Sequence, residues 1–284
     1  MSNSYVKSPM NYIGGKYKLL PQIMDCFPAC IDSMVDLFAG GGDVTINSTA
    51  KHRYANDINK YVIGIFQAFQ NNSVDYILYR IKSAIEYYEL SKTDKEAYLR
   101  FRRYYNTYRD PIDLFILMCY SYNNQFRFNS KHEFNNPFGE RCFNEKTERN
   151  LLNTIERLKG VELSSVSFED FDFSVLKSGD FVYADPPYLI SCGTYNDGKR
   201  GFKGWTSQDE VKLYEGVLDE LDRNGILFAL SNVQAHKGAT NEILIDWYKR
   251  KGYNVRIMNK NYRNCSYNAK SRTSDTQEVL ITNY

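Results

Sequence analysis

The chain has 284 residues, 43% of them hydrophobic, and sets 36 Lys and Arg against 34 Asp and Glu for a net charge of +2. Such a length buries a full core, as one large domain or one domain with a sizeable insert, and a net charge so near zero excludes holding nucleic acid by bulk basicity; any such surface must come from local clustering. The six cysteines (Cys26, Cys30, Cys119, Cys142, Cys192 and Cys265) are scattered without a C-x-x-C pair beside three histidines, the amino terminus lacks a signal-peptide core, and the longest apolar run, residues 114–120, is too short to span a bilayer, so a soluble cytoplasmic protein with reduced thiols and no metal is expected.

The first patterned segment, Asn11-Tyr12-Ile13-Gly14-Gly15-Lys16, leads into an amphipathic run. It reads as a loop opening a helix, with backbone and amine aimed at an anionic group; an ordinary glycine turn explains it as well. Met34-Val35-Asp36-Leu37-Phe38 is a short buried strand, expected to turn through Gly40, Gly41 and Gly42 into a helix, the glycines letting a ligand approach the backbone. The dinucleotide fingerprint would need a small residue where Thr45 stands, which counts against a nicotinamide enzyme. A second strand, Arg53-Tyr54-Ala55-Asn56, ends at Asp57, an acid placed to accept hydrogen bonds from a ribose diol.

From about residue 73 to 159 the strand-helix alternation gives way to helical patterns rich in Tyr, Lys and Arg. Leu78, Ile81, Ile85 and Tyr88 recur at helical spacing, as do Leu114, Leu117 and Met118. Arg100-Phe101-Arg102-Arg103 is a basic and aromatic cluster able to track phosphates, or a solvated helix face. Within this helical insert Gln125-Phe126-Arg127-Phe128-Asn129 alternates at strand period, turns at Ser130-Lys131-His132-Glu133, and returns through Asn136-Pro137-Phe138-Gly139 to Arg141. That predicts a β-hairpin carrying Arg127 and Arg141 toward one end, where a ribbon fits the DNA major groove and an Arg grips guanine. A surface hairpin with solvated arginines is the alternative.

Alternation resumes at residues 161–166, followed by Phe168, a ring able to edge the adenine of a cofactor or simply to pack at a turn. The run Asp180-Phe181-Val182-Tyr183-Ala184 then meets Asp185-Pro186-Pro187-Tyr188. Apolar residues stopped by two prolines read as a buried strand that must end, so Asp185 sits at a strand's carboxyl end, where open α/β sheets bind ligands. A carboxylate held there, with the Pro186 carbonyl and a Tyr188 ring beside it, suits the exocyclic amine of an extruded nucleobase: two acceptors draw off the amine's hydrogens and free its lone pair. A strand whose Asp merely caps a turn fits the bare motif equally. A Gly-rich loop follows over residues 191–205, with Lys199, Arg200 and Lys203. Then come a helix over 207–224, a buried strand over 226–232, a helix over 243–251, and strands at 253–257 and 277–282 that close the sheet as a hairpin around a polar loop at 259–275.

Taken in order, the Gly14-Gly15-Lys16 loop, Phe38-Ala39-Gly40-Gly41-Gly42, Asn56-Asp57, Asn136-Pro137-Phe138-Gly139, Asp185-Pro186-Pro187-Tyr188 and Leu230-Ser231-Asn232 resemble the Dam-type DNA adenine-N6 methyltransferases of the alpha group, the phage enzymes in particular. The resemblance implies a Rossmann-like α/β sheet with helices on both faces. It implies a catalytic domain over residues 1–72 and 160–284 and a target-recognition domain over 73–159. It also implies S-adenosylmethionine as methyl donor, no metal, and adenine in double-stranded DNA as acceptor, commonly within GATC, either as an orphan enzyme or with a restriction endonuclease as a partner in the cell. Tyr12, Lys16, Phe38, Gly40, Gly42, Asp57, Phe168 and Asp185 fall on its cofactor site. Asp185, Pro186, Pro187 and Tyr188 fall on its catalytic corner, and Gln125, Arg127, Pro137 and Arg141 lie where its members meet DNA. Tyr12 stands where many members carry Trp, and Gln125 where a phage relative has an apolar residue. Competing readings are a methyltransferase acting on cytosine-N4 or RNA, which shares the acceptor motif, and a noncatalytic DNA-binding module, which needs the insert but not Asp185.

Overall fold

The computed structural model describes residues 5–190, 204–259 and 276–284. The loop expected at 191–205, with Lys199, Arg200 and Lys203, lies outside the described residues except for its last two positions, as does the loop at 259–275 except for Asn259. Among the described residues eight strands form one sheet: β1 (Ser33–Asp36), β2 (His52–Asn56), β3 (Val161–Ser164), β4 (Phe181–Ala184), β5 (Leu227–His236), β6 (Ala239–Thr240), β7 (Asn254–Met258) and β8 (Thr276–Thr282). Their order is β3-β2-β1-β4-β5-β8-β7, with β6 pairing on β5. β1 to β5 run parallel, while β8 is antiparallel to both β5 and β7. From β1 the chain builds outward to β2 and β3 on one side and to β4 and β5 on the other. That reversal opens a crevice at the strands' carboxyl ends, between β1 and β4.

The period of two decides which core each strand residue joins. In β4, Phe181 and Tyr183 face a core with Leu20 and Ile23 of α1 (Leu20–Met24), and Val182 and Ala184 face the opposite one with Trp247 of α9 (Glu242–Lys251). Each such large apolar side chain, when fully buried, contributes about 1.5–3 kcal/mol. α7 (Ser207–Val211), a π-helical turn (Lys212–Leu218) and α8 (Asp219–Arg223) together span the helix expected over 207–224, and α9 (Glu242–Lys251) the next one.

Between β2 and β3 lie α2 (Lys60–Asn71), α3 (Val74–Tyr88), α4 (Lys95–Tyr108), α5 (Pro111–Tyr120) and α6 (Glu145–Leu158). Their starts are written in side chains: Ser73 accepts from Tyr76 N, Asp94 from Ala97 N, and Asp110 from Ile112 N and Asp113 N just before Pro111. One apolar cluster runs from Phe66 and Phe69 of α2 through Phe101 and Phe115 to Leu151 of α6.

Two expectations are corrected. The glycine loop does not turn into a helix: only a 3₁₀ turn, Thr45–Asn47, follows it, because Asp36 holds Thr45 through both its N–H and its hydroxyl and the chain enters β2 at His52. The hairpin is not a continuous ladder either. It closes through two isolated antiparallel bridges, Phe128 with Phe134 and Ser121 with Phe138. Side chains supply the intervening bonds: Asn136 donates to the carbonyls of Tyr122 and Gln125, and Asn106 of α4 both donates to and accepts from Phe134.

Candidate active site

A cleft of about 1070 Å³ occupies the crevice between β1 and β4. It brings together Tyr12, Lys16, Phe38, Gly40, Asp57, Phe168, Asp185, Pro186, Pro187 and Tyr188, eleven positions with Gln125 of the insert. Gly42 does not line it. At φ +78°, its missing side chain makes room for Phe66 of α2, whose ring tip would lie 2.8 Å from a Cβ there. Gly40 does border the cleft, and a Cβ on it would meet the Tyr12 ring at 2.8 Å, so the ring lies directly on the glycine backbone. Arg127, Pro137 and Arg141 are exposed and apart from the cleft lining, whereas Gln125 and its neighbour Phe126 reach its wall.

Toward β2, Asp57 accepts from Gly40 N at 2.8 Å and Asn59 N at 2.8 Å, which pins the glycine loop. Phe38, Phe168 and Trp205 form a triangle of rings with centroids 5.5–5.8 Å apart, an apolar wall for a flat heterocycle. Asp36, at the end of β1, also lines the cleft. Its Oδ2 is taken by Thr45, while Oδ1 is buried with no hydrogen-bond partner among the described residues. Burial pushes its carboxyl up to about 7, against the Thr45 hydroxyl and with help from the negative charge of Asp185.

The acidic corner lies beyond β4. Lys16 Nζ stands 2.5 Å from Asp185 Oδ2 and donates to the Gly14 carbonyl at 3.0 Å. The Tyr188 hydroxyl lies 2.8 Å from Asp185 Oδ1 and 3.0 Å from Glu278 Oε1. Lys16 is 3.7 Å from that same Glu278 oxygen, and its ammonium faces the Tyr188 ring at 5.1 Å. Burial raises the Asp185 carboxyl above its usual range, with the Lys16 ammonium pulling it down and the Glu278 charge pushing it further up. Burial also holds the Tyr188 phenol well above its usual value. Among the described residues, Lys16 stands between the Asp185 and Glu278 carboxylates.

Glu278, Asp36 and Trp205 are site residues that sequence reading did not single out. Glu278 stands near the start of the strand expected over 277–282, just before the apolar run Val279-Leu280-Ile281, yet it is 3% exposed. Its signal was an acid directly before that apolar run. Asp36 stood within a strand read as buried, and a carboxylate there already needed a partner.

A mostly parallel sheet with helices on both faces, a glycine loop after the first strand and an acid after the second define a Rossmann-like transferase of the methyltransferase class. Residues 12–264 match the model of the D12 class N6 adenine-specific DNA methyltransferases, and the chain belongs to that family. Among its relatives are the modification methylase StsI of Streptococcus sanguinis and the type II methyltransferase M.FokI of Planomicrobium okeanokoites. Each is 48% identical over 287 residues, an alignment that covers 100% of this chain and 44% of the relative. The chain thus spans less than half the length of these two. The DNA adenine methylase of Escherichia coli (strain K12) is 26% identical over 247 residues, covering 85% of this chain and 84% of its own.

Proposed function

We propose that this chain transfers a methyl group from S-adenosylmethionine to the exocyclic N6 of an adenine extruded from double-stranded DNA. The single observation that carries the reading is that one cleft joins the glycine-and-acid lobe, with Gly40, Asp57 and the Phe38–Phe168–Trp205 wall, to the acidic corner at Asp185. The residues suit the donor: a ring wall for its adenine, Asp57 for its ribose, and a buried Asp36 oxygen, without a donor among the described residues, for an ammonium. When bound, the donor supplies an electrophilic methyl on a sulfonium.

This chain's own groups do the positioning. Asp185 and the Pro186 carbonyl accept the two amine hydrogens, Pro187 stiffens the turn, and Tyr188 flanks the base. Tyr12 and Lys16 shape the floor between the two lobes. Catalysis is then orientation and electrostatics. Residues 73–159 serve as the target-recognition unit, with exposed Arg127, Pro137 and Arg141 facing DNA and Gln125 at the cleft wall; GATC is the first sequence to test. The names of the two relatives, a modification methylase and a type II methyltransferase, support pairing with a cognate restriction endonuclease in a bacterial cytoplasm.

The test is transfer of labelled methyl to duplex DNA followed by a nucleoside digest. N6-methyladenine is expected from the wild type, and Asp185→Ala should lose roughly 100-fold or more in rate while still binding the donor. Label on cytosine or RNA, or an Asp185→Ala protein of full activity, overturns the assignment.

A further inference from the structure

We propose that Glu278 is a positioning residue, the acceptor that takes over the Tyr188 hydroxyl when the target amine claims Asp185; this inference rests on the function proposed above. β8 runs antiparallel to β5, so it enters the sheet at the edge where the parallel strands end, and Glu278 lies opposite Val233 at that edge. The topology thus carries a carboxylate from the far end of the chain into the corner built by β4. Glu278 is 3% exposed and is followed by the buried residues Val279, Leu280 and Ile281. A carboxylate so placed loses hydration and must be held by donors. The Tyr188 hydroxyl at 3.0 Å and Lys16 at 3.7 Å are two of them.

Both oxygens of Asp185 are engaged, Oδ2 by Lys16 at 2.5 Å and Oδ1 by the Tyr188 hydroxyl at 2.8 Å. One hydrogen of the incoming amine adds a further donor to Asp185, and each donor the carboxylate keeps makes it a weaker acceptor for that amine. A phenol carries one hydrogen, and this one lies between two carboxylate oxygens at nearly equal range, 2.8 and 3.0 Å. Turning that hydrogen toward Glu278 frees Asp185 Oδ1 without moving a side chain and leaves no buried donor orphaned. Lys16, with three hydrogens, keeps Asp185 Oδ2 and the Gly14 carbonyl throughout. Without Glu278 the hydroxyl loses that acceptor and competes with the base for Asp185.

The test measures single-turnover methyl transfer to a duplex with one target adenine, and in parallel the affinity for S-adenosylhomocysteine by calorimetry, for Glu278→Ala, Glu278→Gln, Tyr188→Phe and the Tyr188→Phe/Glu278→Ala double variant. Glu278→Ala should slow transfer about 10- to 100-fold, as expected for one unsatisfied buried donor, with affinity for S-adenosylhomocysteine within about threefold of wild type. Glu278→Gln keeps an oxygen for the hydroxyl and should recover to within about fivefold. In the Tyr188→Phe background, where no hydroxyl has to be rehoused, adding Glu278→Ala should cost less than about threefold. Unchanged transfer in Glu278→Ala, a Gln variant as slow as Ala, an undiminished loss in the Tyr188→Phe background, or a loss matched by S-adenosylhomocysteine affinity each overturns the proposal. If Glu278→Ala does not fold by thermal denaturation, Glu278→Leu fills the site and takes its place with the same expectations. Failure of the underlying function is read separately, as a wild-type protein that methylates no adenine.

Discussion

Asp36 is an acid that the fold leaves half satisfied. One of its oxygens serves Thr45 and the other is buried without a donor among the described residues, and its neighbours Asp185 and Asp57 add negative charge. Its carboxyl is pushed from an ordinary 3.8 up to about 7 in the folded chain, so between those values the folded state holds a proton that the unfolded state has released. The contribution to stability is therefore complete below the unfolded value and is lost as pH rises through about 7. Asp43 and Asp113, both raised to about 6 chiefly by burial, act in the same direction. Urea unfolding of the ligand-free protein should show a midpoint that declines from pH 5 to pH 8. Asp36→Asn, which keeps an oxygen for Thr45 and has nothing to ionise, should flatten that decline, with an upper bound near 1.4 kcal/mol per pH unit for one group. Equal slopes in the two proteins would show that Asp36 is ionised in the fold.

At the scale of elements, the hairpin of the insert is held from outside rather than by its own ladder. Tyr98 of α4 donates to the Asn136 carbonyl at 2.7 Å, Arg102 reaches the same oxygen at 3.2 Å, and Phe128 packs edge-on against Phe134. The return strand crosses Ser121 so closely at Gly139 that a Cβ there would lie 2.2 Å from the Ser121 carbonyl oxygen. Gly139→Ala must therefore push the return strand off the end of α5. We expect a loss of about 1–3 kcal/mol in stability and a matching drop in duplex affinity by fluorescence anisotropy, with S-adenosylhomocysteine affinity unchanged by calorimetry. An equal drop in both affinities would show that the glycine supports the whole molecule and not the hairpin alone. The alternation from Gln125 to Asn129 made this hairpin legible, and the helix starts at Ser73, Asp94 and Asp110 were written in capping residues. Its anchoring was not legible, because Asn106, Tyr98 and Asn136 bond across 28 to 38 residues of sequence and no local period marks them. The basic run at Arg100 to Arg103 shows the same limit: Arg102 serves the Asn136 carbonyl, and Arg100 lies by the Tyr88 carbonyl.

At the scale of the whole molecule, what the chain order made readable was the parallel half of the sheet, where Asp57 closes β2 and Asp185 follows the apolar run of β4. The antiparallel half hid its contribution, since only the placement of β8 beside β5 brings Glu278 to the same edge. The join between the insert and the glycine loop was equally hidden. Asn11, next to Tyr12, donates to the Asn123 carbonyl at 2.7 Å, and Asn123 is held at φ +55° in the turn that leads to Gln125 and Phe126 at the cleft wall. A ligand that orders the loop at Tyr12 therefore orders the turn that leads into the hairpin, and DNA bound there, as proposed, would do the reverse. Linkage requires the two effects to be equal: if S-adenosylhomocysteine raises duplex affinity by some factor, duplex must raise S-adenosylhomocysteine affinity by the same factor. Asn11→Ala removes one exposed hydrogen bond and should reduce both factors together, by up to about fivefold, while each ligand measured alone binds within about twofold of wild type. A coupling factor untouched by Asn11→Ala would mean that the two sites communicate through the shared apolar cluster of α2 to α6 instead, and substitutions at Phe66 or Phe115 would then be the ones to move it.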